Sequence, residues 1–271
     1  MLFVPTYLVE KSSNNGNTYL PNFSSRFWFA CWSFLNVLIY RLPIKKNFVN
    51  DRSHCPSCNK LIYWYENIPV FSWLFLRGKC SGCQVKISPV YPLVELFIGI
   101  VSFLLFPKVV NIHSLTSYIF FFSIACAFTV HFVIDLKHKI LPNGVTLYLA
   151  LLFLIQSFFS KPFEFWFFGL LIGFGFPAGV TWLFYVLRKK EGLGMGDIKL
   201  WAALGLILGP FEILRNIFMS CTLGSLIGLP MIALGVIDKK TRIPFGPFIL
   251  VVAAFQIYFP KYYKMLLGLI F

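Results

Sequence analysis

Acidic side chains are scarce in this chain: ten aspartates and glutamates stand against 24 lysines and arginines in 271 residues, and charged residues make up only 13% of it. So little charge cannot cover a soluble domain of this length, which excludes an ordinary water-soluble globule. No recognition motif accompanies the +14 net charge, and the basic residues are spread over several short segments, so no nucleic-acid partner is expected. The first residues, including Lys11-Ser12-Ser13-Asn14-Asn15-Gly16, lack the charged start, apolar middle and small-residue cleavage site of a signal peptide, and the N-terminus is expected to be retained. The scattered histidines form no ligand cluster, no internal repeat is visible, and the paired broken segments of an inverted-repeat transporter are missing.

What is abundant is apolar: 58% of the residues are hydrophobic and 33 are phenylalanine. This composition predicts an all-α polytopic membrane protein. With about 20 apolar residues needed per span, eight transmembrane helices are expected near 23–40, 92–107, 115–134, 144–159, 165–187, 199–210, 214–236 and 244–260, the sixth being short. With the N-terminus outside, the loops 41–91, 135–143, 188–199 and 238–242 hold most of the lysines and arginines and become cytoplasmic by the positive-inside rule. The same basic loops would be drawn to anionic membrane lipids. Three divisions follow: residues 1–40 as N-terminal segment and first helix, 41–91 as a cytoplasmic domain, and 92–271 as a transmembrane bundle. The glycine pairs 169/173, 175/179, 205/209 and 224/228, each four apart, are expected to bring helix backbones close.

Within the 41–91 segment, Cys55-Pro56-Ser57-Cys58 and Cys80-Ser81-Gly82-Cys83 are two C-x-x-C knuckles, close to zinc-ribbon spacing. Each offers two thiolates from one tight turn, so Cys55, Cys58, Cys80 and Cys83 could surround a structural Zn²⁺ and leave no open coordination position. Lys60, Arg77, Lys79 and Lys86 lie nearby in sequence to offset the thiolate charge. A metal would also supply folding energy that so short a segment cannot draw from a hydrophobic core. Two redox-active pairs or disulfides are the alternative. Cys31, Cys126 and Cys221 lie in apolar runs and read as small core residues.

Two aspartates close the argument from residues. Asp135, in His131-Phe132-Val133-Ile134-Asp135-Leu136, leaves one apolar run, and Asp197, in Gly192-Leu193-Gly194-Met195-Gly196-Asp197-Ile198-Lys199-Leu200, opens another. Ionisable groups at membrane depth are costly and mark function. Two carboxyls at one level can share a proton, one acting as general base on water while the other polarises a carbonyl, which is aspartic peptide hydrolysis. Gly194 and Gly196 allow a substrate chain to approach the backbone beside Asp197. Pro142, in Leu141-Pro142-Asn143, would end a helix after Asp135. Each aspartate could instead cap a helix or pair with Lys137, Lys139 or Lys199. The pair could also serve a proton- or cation-coupled transporter, or the chain could be a scaffold whose cysteine loop recruits a partner. Glu95, in Tyr91-Pro92-Leu93-Val94-Glu95, either favours a helix N-terminus or contacts a substrate. Arg242-Ile243-Pro244-Phe245-Gly246-Pro247-Phe248 holds too many helix breakers to begin a helix regularly.

Together these residues resemble the bacterial type IV prepilin peptidases, the membrane aspartic peptidases of the Gly-x-Gly-Asp type. The resemblance is carried by Ser33-Phe34-Leu35-Asn36-Val37 with Tyr40-Arg41-Leu42-Pro43, by both knuckles and Trp64-Tyr65-Glu66-Asn67-Ile68-Pro69-Val70-Phe71-Ser72-Trp73 between them, and by Tyr91-Pro92-Leu93-Val94-Glu95. Asp135, Gly194-Met195-Gly196-Asp197 and Ile243-Pro244-Phe245-Gly246-Pro247-Phe248 complete it, while Asn143 stands where aspartate is common. The resemblance implies a bacterial inner-membrane enzyme that cuts the basic leader from prepilin or pseudopilin precursors at the cytoplasmic face, with Asp135 and Asp197 catalytic. It further implies N-methylation of the new N-terminus with S-adenosylmethionine, associated with the four-cysteine loop. No glycine-rich nucleotide fingerprint of the soluble kind is present.

Overall fold

A computed structural model of the protein describes residues 34–46, 53–190, 192–236, 238 and 243–270. Its described residues are helical in the main: 34–41 (α1), Phe71–Phe75 (α2), Val90–Leu105 (α3), Ile112–His138 (α4), Asn143–Ser160 (α5), Phe163–Arg188 (α6), Met195–Ala233 (α7), Gly246–Tyr258 (α8) and Pro260–Ile270 (α9). Helices are what apolar runs must form in lipid, because each satisfies its own backbone polar groups. Their ends are set locally. Asn111 and Ser114 exchange side-chain and backbone hydrogen bonds at the start of α4, at 2.7 and 2.9 Å. Lys139 (φ 56°) and Lys189 (φ 52°) turn left-handed to close α4 and α6, and Pro142 and Pro162 are the N-caps of the helices that follow them.

The described residues fall into two compact units, one running up to Val130 and one from His131 onward, so that the division lies inside α4. In the second unit α7 packs against α5, α6 and α8. The glycines decide the closest of these contacts: a methyl group at Gly169 would lie 2.1 Å from the Gly205 carbonyl oxygen, and one at Gly173 2.4 Å from that of Trp201. Gly224 and Gly228 meet the side chains of Phe245 and Ile243, whereas Gly175 and Gly179 face open space, so that pair is not a packing device. A buried polar network ties α7 to α8 and α9. Trp201 Nε1 donates to Asn216 Oδ1 (3.0 Å), Asn216 Nδ2 to Gln256 Oε1 (2.8 Å), and Gln256 Nε2 to the Glu212 carbonyl (2.9 Å) and Tyr263 Oη (3.2 Å).

The expected eight spans are not found. Among the described residues four helices, α4 to α7, are long and apolar enough to cross a membrane. The predicted sixth and seventh spans are the two parts of the 39-residue α7, which meet without an intervening loop at a sharp break where Gly209, before Pro210, leaves helical geometry (φ 78°, ψ 179°). The predicted second and last spans are α3 and α8, of 16 and 13 residues. They reach only about 24 and 20 Å, short of an apolar layer about 30 Å thick. Most of the predicted first span, with Cys31, lies outside the described residues.

The expected zinc-ribbon-like domain is absent as well. Between α1 and α3 the described chain has no sheet, only isolated antiparallel bridges at His54–Leu61 and Lys79–Lys86, a 3-10 turn at Trp64–Asn67, and α2. The physical reason is that each bridge spends its pairing on closing a single knuckle. Cys55 N–H bonds to the Lys60 carbonyl and Cys80 N–H to that of Val85, both at 2.9 Å, while Asn59 and Gln84 adopt positive φ at equivalent points.

Candidate functional site

Asp135 lies three residues before the end of α4 and Asp197 in the first turn of α7, both in the unit from His131 onward. Asp135 is 4% exposed and accepts a hydrogen bond at Oδ2 from the Gly246 backbone N–H, 2.9 Å away and 111 residues distant in sequence. Gly246 opens α8 within the helix-breaking Pro244-Phe245-Gly246-Pro247 segment, which is why its N–H is free to face a side chain. A methyl group there would lie 2.7 Å from Asp135 Oδ2 and 3.1 Å from Leu141 Cδ2. Leu141 also touches the other side of the site, since a methyl group at Gly196 would meet its Cβ at 3.1 Å. One at Gly194 would lie 3.0 Å from Asp197 Oδ2. Leu141 thus contacts both the residue that bonds Asp135 and the residue that precedes Asp197.

Neither aspartate is in a salt bridge among the described residues; Lys199 Nζ donates instead to Asn143 Oδ1 at 3.2 Å. Asp197 does sit where the helix dipole favours a negative charge. One turn before Asp135, His131 is fully buried, with Nε2 3.3 Å from Thr146 Oγ1. Gly246 and Leu141 are missed by sequence reasoning. The only signal was the run of helix breakers at 243–247, which marks an irregularity without showing what it faces.

Glu95 belongs to the other unit and is 8% exposed. Its two oxygens accept from Asn36 Nδ2 and from the Val70 backbone N–H, both at 2.8 Å, and no cation pairs with it among the described residues. Val70, the N-cap of α2, holds φ 62°, a strained conformation for a β-branched residue that costs of order 1–3 kcal/mol. Asn36 also donates to the Tyr91 carbonyl at 3.3 Å, whereas its own Oδ1 is buried without a partner among the described residues.

In the same unit the four knuckle cysteines are free thiols whose sulfurs all lie within 4.8 Å of one another. Two close approaches cross between the knuckles, Cys55 to Cys83 at 3.8 Å and Cys58 to Cys80 at 4.0 Å. Ligands about 2.3 Å from a tetrahedral metal stand about 3.8 Å apart, so these residues fit a metal ion. Backbone N–H groups of Ser57 and Cys58 pull Cys55 down to about 6, and those of Cys83 and Gly82 lower Cys80. At Cys83 the Val85 N–H lowers the thiol, but burial and the neighbouring thiols push it up to about 11. Packed thiols without a cation resist losing all their protons together, and a bound metal removes that conflict. Lys60 is occupied elsewhere: it pairs with Glu66 at 3.4 Å and Ser81 at 2.7 Å, and Ser81 in turn donates to Glu66. That contact, the Tyr63 N–H and Lys60 hold Glu66 below the usual carboxylate range. Of the remaining cysteines, Cys221 is exposed on α7 and is no core residue, while Cys126 is half-buried.

Comparison with known proteins places these residues in a family context. Residues 28–109 match the bacterial peptidase A24 N-terminal domain, and residues 119–229 match the type IV leader peptidase family. The chain is 34% identical to a prepilin leader peptidase/N-methyltransferase of Stutzerimonas stutzeri and 35% identical to one of Aeromonas hydrophila, covering in each case 80% of this chain and 83% of the relative. It is 34% identical to a type 4 prepilin-like proteins leader peptide-processing enzyme of Escherichia coli O78:H11, over 79% of this chain and 85% of that protein. No solved structure matches the chain.

Proposed function

The chain belongs to the type IV leader peptidase family, and from that premise we propose that Asp135 and Asp197 are its catalytic pair. The enzyme is a multi-pass membrane protein, a leader peptidase for prepilin-like precursors with an associated N-methyltransferase activity. The observation that carries the assignment is the joint placement of the two aspartates: Asp135 is buried and bonded by the Gly246 N–H, and Leu141 packs against both Gly246 and Gly196, the residue before Asp197. Like charges so placed favour one shared proton. The ionised carboxylate takes a proton from water as the oxygen adds to the scissile carbonyl carbon, and the protonated carboxyl gives its proton to the carbonyl oxygen. Collapse of the tetrahedral intermediate breaks the C–N bond, and the nitrogen leaves with a proton returned by the pair. The Gly246 N–H is suited to hold Asp135 in one orientation throughout. Gly194 leaves room for the Asp197 carboxylate itself and Gly196 for Leu141, so these glycines support the site by close packing rather than by leaving a track for a substrate strand.

Residues 41–91 are the metal-binding module in this reading, with Cys55, Cys58, Cys80 and Cys83 holding a structural Zn²⁺, and 92–271 the peptidase bundle. The donor set supports zinc, since four clustered thiolates favour it and leave no position for a reacting water. The cysteine unit, with Glu95, carries the methyl transfer. When bound there, S-adenosylmethionine would supply the methyl group that replaces a hydrogen on the free amine of the cleaved product. Lys137, Lys139, Arg188, Lys189, Lys190 and Lys199 surround the helix ends next to the two aspartates. By the positive-inside rule they support a reading in which that edge faces the cytoplasm and meets anionic lipid headgroups.

The test is cleavage of a purified prepilin-like precursor. Asp135→Asn and Asp197→Asn are each expected to abolish it while the protein remains folded and membrane-inserted. Substantial cleavage by either folded variant sinks the assignment.

A further inference from the structure

We propose that a cavity of about 430 Å³ in the cysteine-bearing unit, walled in part by Asn36, Tyr40, Arg41, Trp73, Tyr91 and Glu95, is the S-adenosylmethionine site, with the methyl donor's ammonium group held between Glu95 and Asn36. The inference rests on the reading that this unit transfers the methyl group, and goes beyond it by naming where the donor lies and which atoms hold it. The cavity's size falls within the range of pockets that enclose small ligands, about 300–1,000 Å³.

Three features meet at Glu95, and two of them, Glu95 itself and Asn36, line the cavity. Glu95 is a carboxylate more than nine-tenths buried and met only by neutral donors, the Asn36 amide and the Val70 N–H. A buried carboxylate is ordinarily paired, so a ligand cation completes it. Asn36 is held with its nitrogen toward two acceptors, Glu95 Oε1 and the Tyr91 carbonyl, which fixes the amide's orientation. Its Oδ1 is thereby left buried with no donor among the described residues, although buried acceptors are nearly always satisfied. An ammonium has donors for both oxygens and the charge that Glu95 lacks. The third feature is Val70, held in the left-handed region so that its N–H reaches Glu95 Oε2. Strain of that kind persists where a site is pre-organised.

The rest of the lining suits the rest of the donor. Tyr40, Trp73 and Tyr91 offer aromatic surface for an adenine ring, and the basic groups of Arg41, Lys46 and Lys60 share the wall with carboxylates, as a zwitterionic amino acid requires. The other substrate, the cleaved N-terminus, is an amine followed by an apolar segment, and it brings no adenine ring to the aromatic surface of Tyr40, Trp73 and Tyr91.

The experiment measures binding of radiolabelled S-adenosylmethionine to the purified full-length protein in detergent, with metal content as the check that the loop is folded. Asn36→Leu and Glu95→Gln are each expected to weaken binding about tenfold or more, since hydrogen bonds to charged groups are worth at least that factor. Ultraviolet cross-linking of the labelled donor to the unaltered protein supplies a second measurement independent of any variant. Label is expected on peptides containing Tyr40, Trp73 or Tyr91. Equal binding by wild type and both metal-loaded variants, or label confined to residues 131–270, overturns the site and leaves the methyl-transfer reading standing. A wild-type protein that methylates a pre-cleaved N-terminus yet takes up label only outside this cavity does the same. A wild type that neither binds the donor nor methylates overturns both together.

Discussion

The cysteine knuckles and the aspartate site hold their polar groups by opposite means. In the knuckles the partners are a few residues away: backbone N–H groups of Ser57 and Cys58 act on Cys55, those of Gly82 and Cys83 on Cys80, and each turn closes through a bond spanning five residues. At the aspartates the partners come from the far ends of the chain. Asp135 is bonded by Gly246, and Leu141 fills the space left by the missing side chains of Gly196 and Gly246. The first arrangement can form as soon as a metal gathers two short turns. The second exists only once α4, α7 and α8 have packed, so its geometry is a property of the whole bundle. A local site is lost by removing a ligand; a distributed one is lost by moving a backbone.

That contrast breaks most visibly at the dyad itself. Replacing Asp135 with Asn is expected to lower cleavage of a precursor by about a thousandfold or more, because proton sharing needs both carboxyls, while metal content stays at the wild-type level. A fall in both would mean that the two sites are not separate. Next in size is Cys58→Ser, or treatment with a strong chelator. Metal bound per chain, read by elemental analysis, should drop to less than half, with the loop becoming protease-sensitive. An unchanged metal content would remove Cys58 from the ligand set.

Backbone position is sharpened by Gly246→Ala. The added methyl cannot coexist with Asp135 Oδ2 at 2.7 Å, so either the carboxylate or the start of α8 must shift, and the bond to the Gly246 N–H is disturbed in both cases. Cleavage should fall by about tenfold to a hundredfold, the scale of a misplacement near 1 Å, with little change in the thermal unfolding midpoint. Gly205→Ala attacks packing away from the chemistry: its methyl would meet the Gly169 carbonyl at 2.1 Å, and overpacking of this kind costs about 1–3 kcal/mol. A lowered unfolding midpoint in detergent would register it. Gly175→Ala is the smallest change. Nothing lies within 4 Å, and alanine is the better helix former by about 0.5–1 kcal/mol, so stability should hold or rise slightly.

The same contrast explains what the sequence reveals. C-x-x-C spacing is a local code, and Cys55, Cys58, Cys80 and Cys83 do gather as it implies. The ribbon expected around them does not form, because spacing fixes ligands and says nothing of the connecting chain. Asp135 and Asp197 are legible as rare charges at the ends of apolar runs, while Gly246 and Leu141 are not, since a glycine N–H and a leucine acquire meaning only from what packs opposite. The span count fails for a related reason. Gly209-Pro210 reads as a break in sequence and is one, but the chain resumes its helix at once, and the two parts are tied across the break by the Trp201–Asn216 bond. Asn36 and Glu95 stand in separate motifs 59 residues apart, and nothing in either announces that one amide joins them.

The kink in α7 carries a mechanical consequence. Asp197 begins the shorter half, roughly 20 Å of helix before Gly209, while the longer half beyond it runs roughly 35 Å. A bilayer that is thicker or thinner than the protein prefers is accommodated mainly by tilt of long apolar helices. With the break placed at Gly209, such tilt can be taken up by the segment from Pro210 to Ala233, within the range allowed by the Trp201–Asn216 bond that bridges the break, while the half that bears Asp197 is held on α6 through Gly205 on Gly169 and Trp201 on Gly173. To that extent the aspartate's half is shielded from changes in membrane thickness, much as a hinged gangway keeps its upper end level while the lower end follows the tide.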